Sequence, residues 1–305
     1  MNPIICIVGP TASGKTQTSY LLARKLGVEI ISCDSMLIYR EPSIITSKPS
    51  HQLLAEVNHH FIGITSVSET YSVFDYFRLA TEAIRALYFK NQSPVVCGGS
   101  GLYFKAIIDG IFQGPGKNDQ LRESLMRTAE TYGKQYLYEE LKKVDSPAAM
   151  RISPNDLRRT IRALEVYYES GMPMSQKQTF SFGLWGDLPI KIFGLRLKRK
   201  ELYHRIEERV DQMFVEGAVD EVEALRQGNL SLTAEKIIGV KEISEFLDDK
   251  VTEAQAKANM KKNTRHLAKR QITWFKKEKR IEWIDIDEQT PKQTAELIES
   301  RISNA

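Results

Sequence analysis

One octet constrains this chain more than any other feature: Gly9-Pro10-Thr11-Ala12-Ser13-Gly14-Lys15-Thr16, set between a short apolar run, Ile4–Val8, and an amphipathic stretch, Lys15–Leu26. It fits the P-loop pattern G-x-x-x-x-G-K-[ST] in the setting that pattern needs, a buried strand before it and a helix after it. The glycines let backbone N–H groups curl around phosphate oxygens, and the helix N-terminus adds partial positive charge. Lys15 reaches the terminal phosphates, and the Thr16 hydroxyl is placed to hold Mg2+. With 18 glycines in 305 residues, the pattern arises by chance about one time in a hundred before its flanks are counted. Polyphosphate binding is therefore expected, while the reaction is left open.

The residues beyond the octet continue the alternation. Glu29–Cys33, Phe61–Ile64 and Val95–Cys97 read as strands, and Val73–Phe89 reads as a helix. Strands separated by helices predict βαβ units and a parallel sheet with its ligand site at the carboxyl ends of the strands. From about Phe112 to Pro189 the strand signal disappears, and helical patterns at Gln120–Tyr132, Lys134–Val144 and Asn155–Ser170 replace it. Ile190–Leu197 resumes a strand, helices follow through Arg226, Lys236–Asp248 and Thr252–Lys276 read as helices, and Ile281–Ile286 is a last strand. The expected fold is α/β: a P-loop NTPase-like parallel sheet flanked by helices, with an all-helical insertion domain. Its boundaries fall at 1–114 and 190–305 for the core and 115–189 for the insertion.

Composition excludes several classes. Hydrophobic residues at 42% and charged residues at 27% suit a globular chain, and no run approaches the ~18 apolar residues of a membrane span. The N-terminal residues lack the basic and small-residue pattern of a secretory signal, so a cytoplasmic protein with no membrane partner is expected. Cys6, Cys33 and Cys97 sit in or beside apolar runs without zinc-ligand spacing, as buried thiols of a reducing compartment would. The net charge of +4 identifies no partner, but ten Lys or Arg fall between Lys257 and Arg280 against the single acid Glu278.

Two further loops fall where the sheet should end. Asp34, in Ser32-Cys33-Asp34-Ser35-Met36, suits a carboxylate holding Mg2+ from outside its inner ligands, a general base facing substrate, or a cap of the next turn; spacing does not separate these roles. Gly98-Gly99-Ser100-Gly101 offers close backbone approach and a hydroxyl, or a simple glycine turn. Lys257, Lys261, Arg265 and Lys269 recur every four residues as one stripe of a helix, fitted to a phosphodiester backbone or to water, while Leu267, Ala268, Gln271 and Phe275 lie on another side. Arg151, Arg158, Arg159 and Arg162 add a basic face to the insertion.

Taken together, these segments resemble the tRNA dimethylallyltransferases, which prenylate N6 of adenosine 37 beside the anticodon. The resemblance runs in order along nearly the whole chain: GPTASGKT from Gly9, DSMLIYR from Asp34, TSKP from Thr46, YSV from Tyr71, GGSGLYFKA from Gly98, RISPND from Arg151, RALEVY from Arg162, RIEERVDQM from Arg205 and RHLAKRQITW from Arg265. It implies that dimethylallyl diphosphate places its diphosphate on Gly9, Pro10, Thr11, Ala12, Ser13, Gly14, Lys15 and Thr16, with Mg2+ on Thr16 and with Lys15 stabilising the leaving group. Asp34 is then the candidate general base, Ser100, where the family often has Thr, steadies the reacting centre, and Arg205 and Arg209 are suited to clamping diphosphate. An intrahelical pair with Glu201 or Glu208 is the alternative for these two arginines. The implied contacts to the tRNA anticodon stem-loop are Asp34, Ser35, Met36, Leu37, Ser100, Arg122, Arg158, Arg159, Arg162 and Lys241, with the insertion gripping the stem. Lys261, Arg265 and Lys269 of the basic stripe would add salt-sensitive affinity.

The chain departs from the family pattern at Glu41–Pro49, where an acid and two glycines of GMDIGTAKP are missing, at Gly63, and at Val240. Having no cysteine after Cys97, it cannot build the C-terminal zinc finger of eukaryotic relatives, and the resemblance implies a monomer. Two other readings accommodate the P-loop: an ATP-dependent small-molecule or nucleotide kinase, and a nucleotide-switched RNA-binding protein. Neither accounts for GGSGLY and LAKRQITW together.

Overall fold

Five consecutive apolar residues, mostly β-branched, make Ile4–Val8 a strand buried on both faces, and the rest of the fold is built around it. The computed structural model describes residues 2–303. It opens with β1 (Ile4–Val8), α1 (Lys15–Leu26), β2 (Ile30–Ser32), α2 (His51–Glu56), β3 (His59–His60), α3 (Val73–Phe89), β4 (Val95–Gly98) and α4 (Gly101–Asp109). Five helices follow: α5 (Asp119–Tyr132), α6 (Lys134–Val144), α7 (Ser146–Arg151), α8 (Leu157–Ser170) and α9 (Met174–Gln178). The chain then runs through β5 (Ile190–Arg196), α10 (Arg199–Val215), α11 (Ala218–Arg226), α12 (Val240–Leu247), α13 (Glu253–Phe275), β6 (Ile281–Asp285) and α14 (Pro291–Ser303). These elements divide into two compact units, one made of the described residues up to Ile108 and from Leu184 onward, the other of Asp109–Gly183.

In the first unit the six strands form one sheet in the order β3-β2-β4-β1-β5-β6, parallel at every pairing. Side chains of β1 alternate between the two faces, as a strand's period of two requires. Ile4, Cys6 and Val8 pack with α3 and α4 through Tyr76, Ile84 and Phe104, whereas Ile5 and Ile7 pack with α1, α10 and α14 through Leu22, Ile206 and Ile298. Each such aliphatic side chain, fully buried, contributes about 1.5–3 kcal/mol. Helix α13 serves both faces, with Phe275 on one and Ala268 on the other. A third cluster joins Ile38, Tyr39 and Ile45 to α11, α12 and Met260 of α13.

Register decides where the functional loops emerge. Val8 is paired with both Gly98 and Gly194, and the Cys33 N–H reaches the Cys97 carbonyl at 2.7 Å. The chain therefore leaves β1, β2 and β4 at one level of the sheet edge. A Cβ on Gly98 would lie 2.0 Å from the Cys33 carbonyl oxygen, so only glycine permits that approach.

The second unit is helical. Leu125, Leu137, Leu141, Ile161 and Leu164 form its core. Buried Asp145 caps α7 by accepting the Ala148 N–H at 3.0 Å and takes the Ser175 N–H at 2.9 Å, tying α9 to it.

Two local expectations are corrected. Phe61–Ile64 is no strand: the strand is His59–His60, and Phe61 turns out of it with φ +64°, so the Gly63 and Ile64 N–H groups bond to the Leu37 and Ile38 carbonyls. Lys236–Asp248 is not one helix, because Gly239 at φ +113° breaks it after a 3-10 turn at Ala234–Lys236. Its second half starts at Val240, where the Glu242 carboxylate accepts the Gly239 N–H at 2.8 Å. Behind Gly98-Gly99-Ser100 the chain enters α4, a helix whose start the glycines hide from propensity.

Candidate active site

The octet forms the floor of a cleft of about 420 Å³ in the first unit. Gly9 and Gly14 take φ of +149° and +79°, and Ala12, without glycine's freedom, takes +62°. The first turn of α1 carries no acidic residue, so its dipole is left open to an anion. Ser13 Oγ and Lys15 Nζ both donate to the Pro10 carbonyl, at 2.8 and 2.5 Å, folding the loop and its lysine over one another. Burial pushes the Lys15 ammonium down to about 8, opposed by Cys97 and Asp34 and reinforced by the Arg209 charge.

Asp34 leaves β2 on the wall of the same cleft. Its Oδ1 accepts the Met36 N–H at 2.9 Å, which fixes the carboxylate in a tight turn. Ser100 joins that turn: its Oγ accepts the Ser35 N–H at 2.9 Å and donates to Ser35 Oγ at 3.1 Å. The structure thus welds the Asp34 and Ser100 loops into one rigid edge.

The two candidate clamps differ. Arg205 and Arg209 both line the cleft, but Arg205 donates Nε–H to Glu201 at 2.7 Å within its own helix. Arg209 donates to hydroxyls instead, to Ser47 Oγ at 2.6 Å and to Thr11 Oγ1 at 3.2 Å. Burial lowers the pKa of its guanidinium and the Asp34 charge raises it. Lys15, Arg205 and Arg209 around one carboxylate make the cleft an anion site.

Thr11, Ala12, Ser13, Gly14, Lys15, Thr16, Asp34 and Leu37 line this cleft; Gly9 and Pro10 form the loop's base, and Ser35, Met36 and Ser100 adjoin it through the bonds above. Lys241 does not line the cleft: it is exposed, 3.7 Å from Glu245. Two residues of the α13 basic stripe are engaged by α10, with Lys261 paired to Asp211 at 2.7 Å and Arg265 to Glu207 at 2.6 Å. Of the four stripe residues Lys269 alone is exposed, and the exposed cations of this helix are Lys262, Lys269 and Arg270. In the helical unit, Arg158 is exposed, Arg159 lies 3.3 Å from Asp156, and Arg122 and Arg162 meet on Glu165.

Two residues of the cleft escape inspection of the sequence. Gln271 Oε1 accepts the Thr11 N–H at 2.8 Å and its Nε2 donates to the Gly99 carbonyl at 3.1 Å, so one amide spans the phosphate loop and the Ser100 loop. Its signal was a lone polar residue on the apolar side of α13. Ser47, in the segment that departs from the family pattern, holds Arg209 from a backbone at φ +50°, and nothing local announces it.

The chain is similar to known proteins along nearly its whole length. A family model described as IPP transferase matches residues 37–278. The tRNA dimethylallyltransferase of Desulforudis audaxviator is 41% identical over 289 residues, covering 94% of this chain and 93% of that protein. That of Natranaerobius thermophilus is 41% identical over 303 residues, covering 97% and 90%. Among solved structures, the full-length tRNA isopentenylpyrophosphate transferase from Bacillus halodurans superposes with a TM-score of 0.71 at 36% identity, covering 100% of this chain and 98% of that one. A eukaryotic dimethylallyltransferase acting on tRNA superposes with a TM-score of 0.83 at 27% identity, covering 100% and 80%.

Proposed function

This chain belongs to the IPP transferase family, the tRNA dimethylallyltransferases, and from that premise we propose that it transfers the dimethylallyl group of dimethylallyl diphosphate to N6 of adenosine 37 in a tRNA anticodon loop. The observation that carries the reading is the meeting of the cationic phosphate loop with the Asp34–Ser100 edge in a single cleft. N6 attacks the prenyl C1, the C1–O bond breaks with its electron pair leaving on diphosphate, and the N6 proton passes to Asp34. An adenine amine is a weak nucleophile, so the rate depends on stabilising charge that develops on the leaving group. Lys15, Arg209 and the backbone N–H groups of the octet supply that stabilisation.

Mg2+ fits the donors present. Among the described residues no cluster of three His, Cys, Asp or Glu side chains forms a metal cage. A P-loop asks for none, since its Mg2+ takes one side-chain hydroxyl, substrate oxygens and water. Thr16, exposed at the start of α1, offers that hydroxyl. When bound, the ion would neutralise diphosphate charge.

N6 is reached only when the base leaves the anticodon-loop stack, at a cost of a few kcal/mol recovered through contacts to the loop and its phosphates. Ser35, Met36 and Leu37 stand beside Asp34 to receive the base, and Arg122, Arg158, Arg159 and Arg162 form the stem grip of the helical unit. The reading includes a cytoplasmic monomer; among the described helices none is long and apolar enough to cross a membrane.

The test incubates the protein with Mg2+, dimethylallyl diphosphate and a stem-loop bearing adenosines 36, 37 and 38, with and without ATP, and identifies digested nucleosides by mass spectrometry. N6-dimethylallyl adenosine formed without ATP is the expected product. A stem-loop that binds and stays unmodified would sink the reading.

A further inference from the structure

Glu165, on α8, is fully buried in the helical unit, yet two arginines converge on it. Arg122 of α5 donates Nε–H to Oε1 at 2.8 Å and Nη2–H to Oε2 at 2.9 Å, a bidentate fork. Arg162, one turn earlier on α8, donates to Oε2 at 2.6 Å and shares the Pro115 carbonyl through Nη1 and Nη2 at 3.3 and 3.2 Å. The Asn118 N–H adds a further bond to Oε1 at 3.0 Å. Burial would raise the Glu165 pKa, but these donors outweigh it and hold the carboxyl below its ordinary value.

One carboxylate neutralises only one of the two guanidiniums. Both arginines keep about a third of their side-chain surface in water, at 34% and 35%, while Glu165 has none. Arg122 commits two of its donors to Glu165, and a guanidinium carries five N–H groups in all. A buried pair of this kind is weak evidence for stability, because desolvation offsets its attraction. Its stronger effect is to fix two long side chains that would otherwise lose rotamer entropy on binding.

We propose that Glu165 is a positioning residue, holding Arg122 and Arg162 as a preset pair of guanidiniums whose remaining N–H groups bind phosphates of the acceptor RNA. This rests on the tRNA reading above, and the experiment separates the two. Glu165→Gln removes a negative charge, which by simple electrostatics would tighten RNA binding. Loss of the preset geometry has the opposite sign.

In steady-state prenylation assays, Glu165→Gln is expected to raise KM for the anticodon stem-loop about tenfold, with kcat within about twofold and KM for dimethylallyl diphosphate unchanged. In a background where Arg122 and Arg162 are both replaced by Ala, adding Glu165→Gln should weaken stem-loop binding no further, since Glu165 acts only through those two arginines. Unchanged or tighter stem-loop binding, a loss confined to kcat, or additive losses would overturn the proposal. If Glu165→Gln costs the protein its helical circular-dichroism signal, Arg122→Lys decides: it keeps the charge and loses the fork, so an unchanged stem-loop KM counts against positioning. Absence of prenylation by the unaltered protein would instead remove the functional reading itself.

Discussion

The side-chain amide of Gln271 accepts the backbone N–H of Thr11 at 2.8 Å across 260 positions of sequence. That bond, with the one from Nε2 to the Gly99 carbonyl, makes α13 the brace between the loop that would hold diphosphate and the loop that carries Ser100. Each hydrogen bond of this kind contributes about 0.5–1.5 kcal/mol.

Gln271→Ala is accordingly expected to lower kcat/KM about tenfold with the protein still folded, since it loosens both loops without touching a reacting atom. Gln271→Glu keeps the acceptor for Thr11 and loses the donor to Gly99, so it should fall between the two. Steady-state kinetics with stem-loop and dimethylallyl diphosphate varied in turn checks this, and full activity in Gln271→Ala would remove the brace from the mechanism.

Asp34 is held by the Met36 N–H through Oδ1, a bond that an asparagine oxygen can keep. Asp34→Asn should therefore preserve the turn and the stem-loop affinity while lowering kcat by ~10²–10⁴, the loss of a general base. Single-turnover rates beside binding isotherms separate the outcomes. An equal fall in stem-loop affinity would make Asp34 a recognition residue.

Lys15 titrates near 8 in the folded protein against an ordinary 10.5, because it is buried. Between those values the unfolded chain binds the extra proton, so this group's contribution to stability rises with pH, while its attraction for diphosphate falls over the same range. Affinity for inorganic diphosphate should weaken as pH passes about 8, and binding above that pH should take up a proton, visible as buffer-dependent heat in calorimetry. Lys15→Arg, charged throughout, should lose that inflection; a variant with the same profile would assign the titration elsewhere.

The cations of α13 divide into two groups with different expected effects. Lys269 is exposed, whereas Lys261 and Arg265 are held by Asp211 and Glu207 of α10. Replacing Lys262, Lys269 and Arg270 with Ala should reduce the slope of log affinity against log salt by about 0.7–0.9 for each phosphate that is no longer neutralised. Lys261→Ala and Arg265→Ala should change it less and loosen α10 from α13. Stem-loop titrations at several salt concentrations decide, and equal slopes in both sets would contradict the division.

The residues that announced themselves did so through local rules. A glycine-rich octet between a β-branched run and a helical period has few other uses, and β1 and α1 begin and end where those periods do. Asp34 and Ser100 were legible because each follows an apolar run, and parallel strands bring such positions to one edge. Phe61 misled because nothing in its side chain foretells a left-handed backbone.

By itself, then, the sequence determined the alternation of strands and helices, the phosphate loop, and the carboxylate and hydroxyl that stand beside it, since all of these follow from periods and turns a few residues long. Only the tertiary structure decided that Gln271 braces Thr11, that Ser47 and Thr11 hold Arg209, that Glu165 gathers Arg122 and Arg162, and that Lys261 and Arg265 are engaged by α10. A helical period says which residues share a face, but the partner that face meets is set by how distant elements pack, and a charge or amide takes its role from that partner.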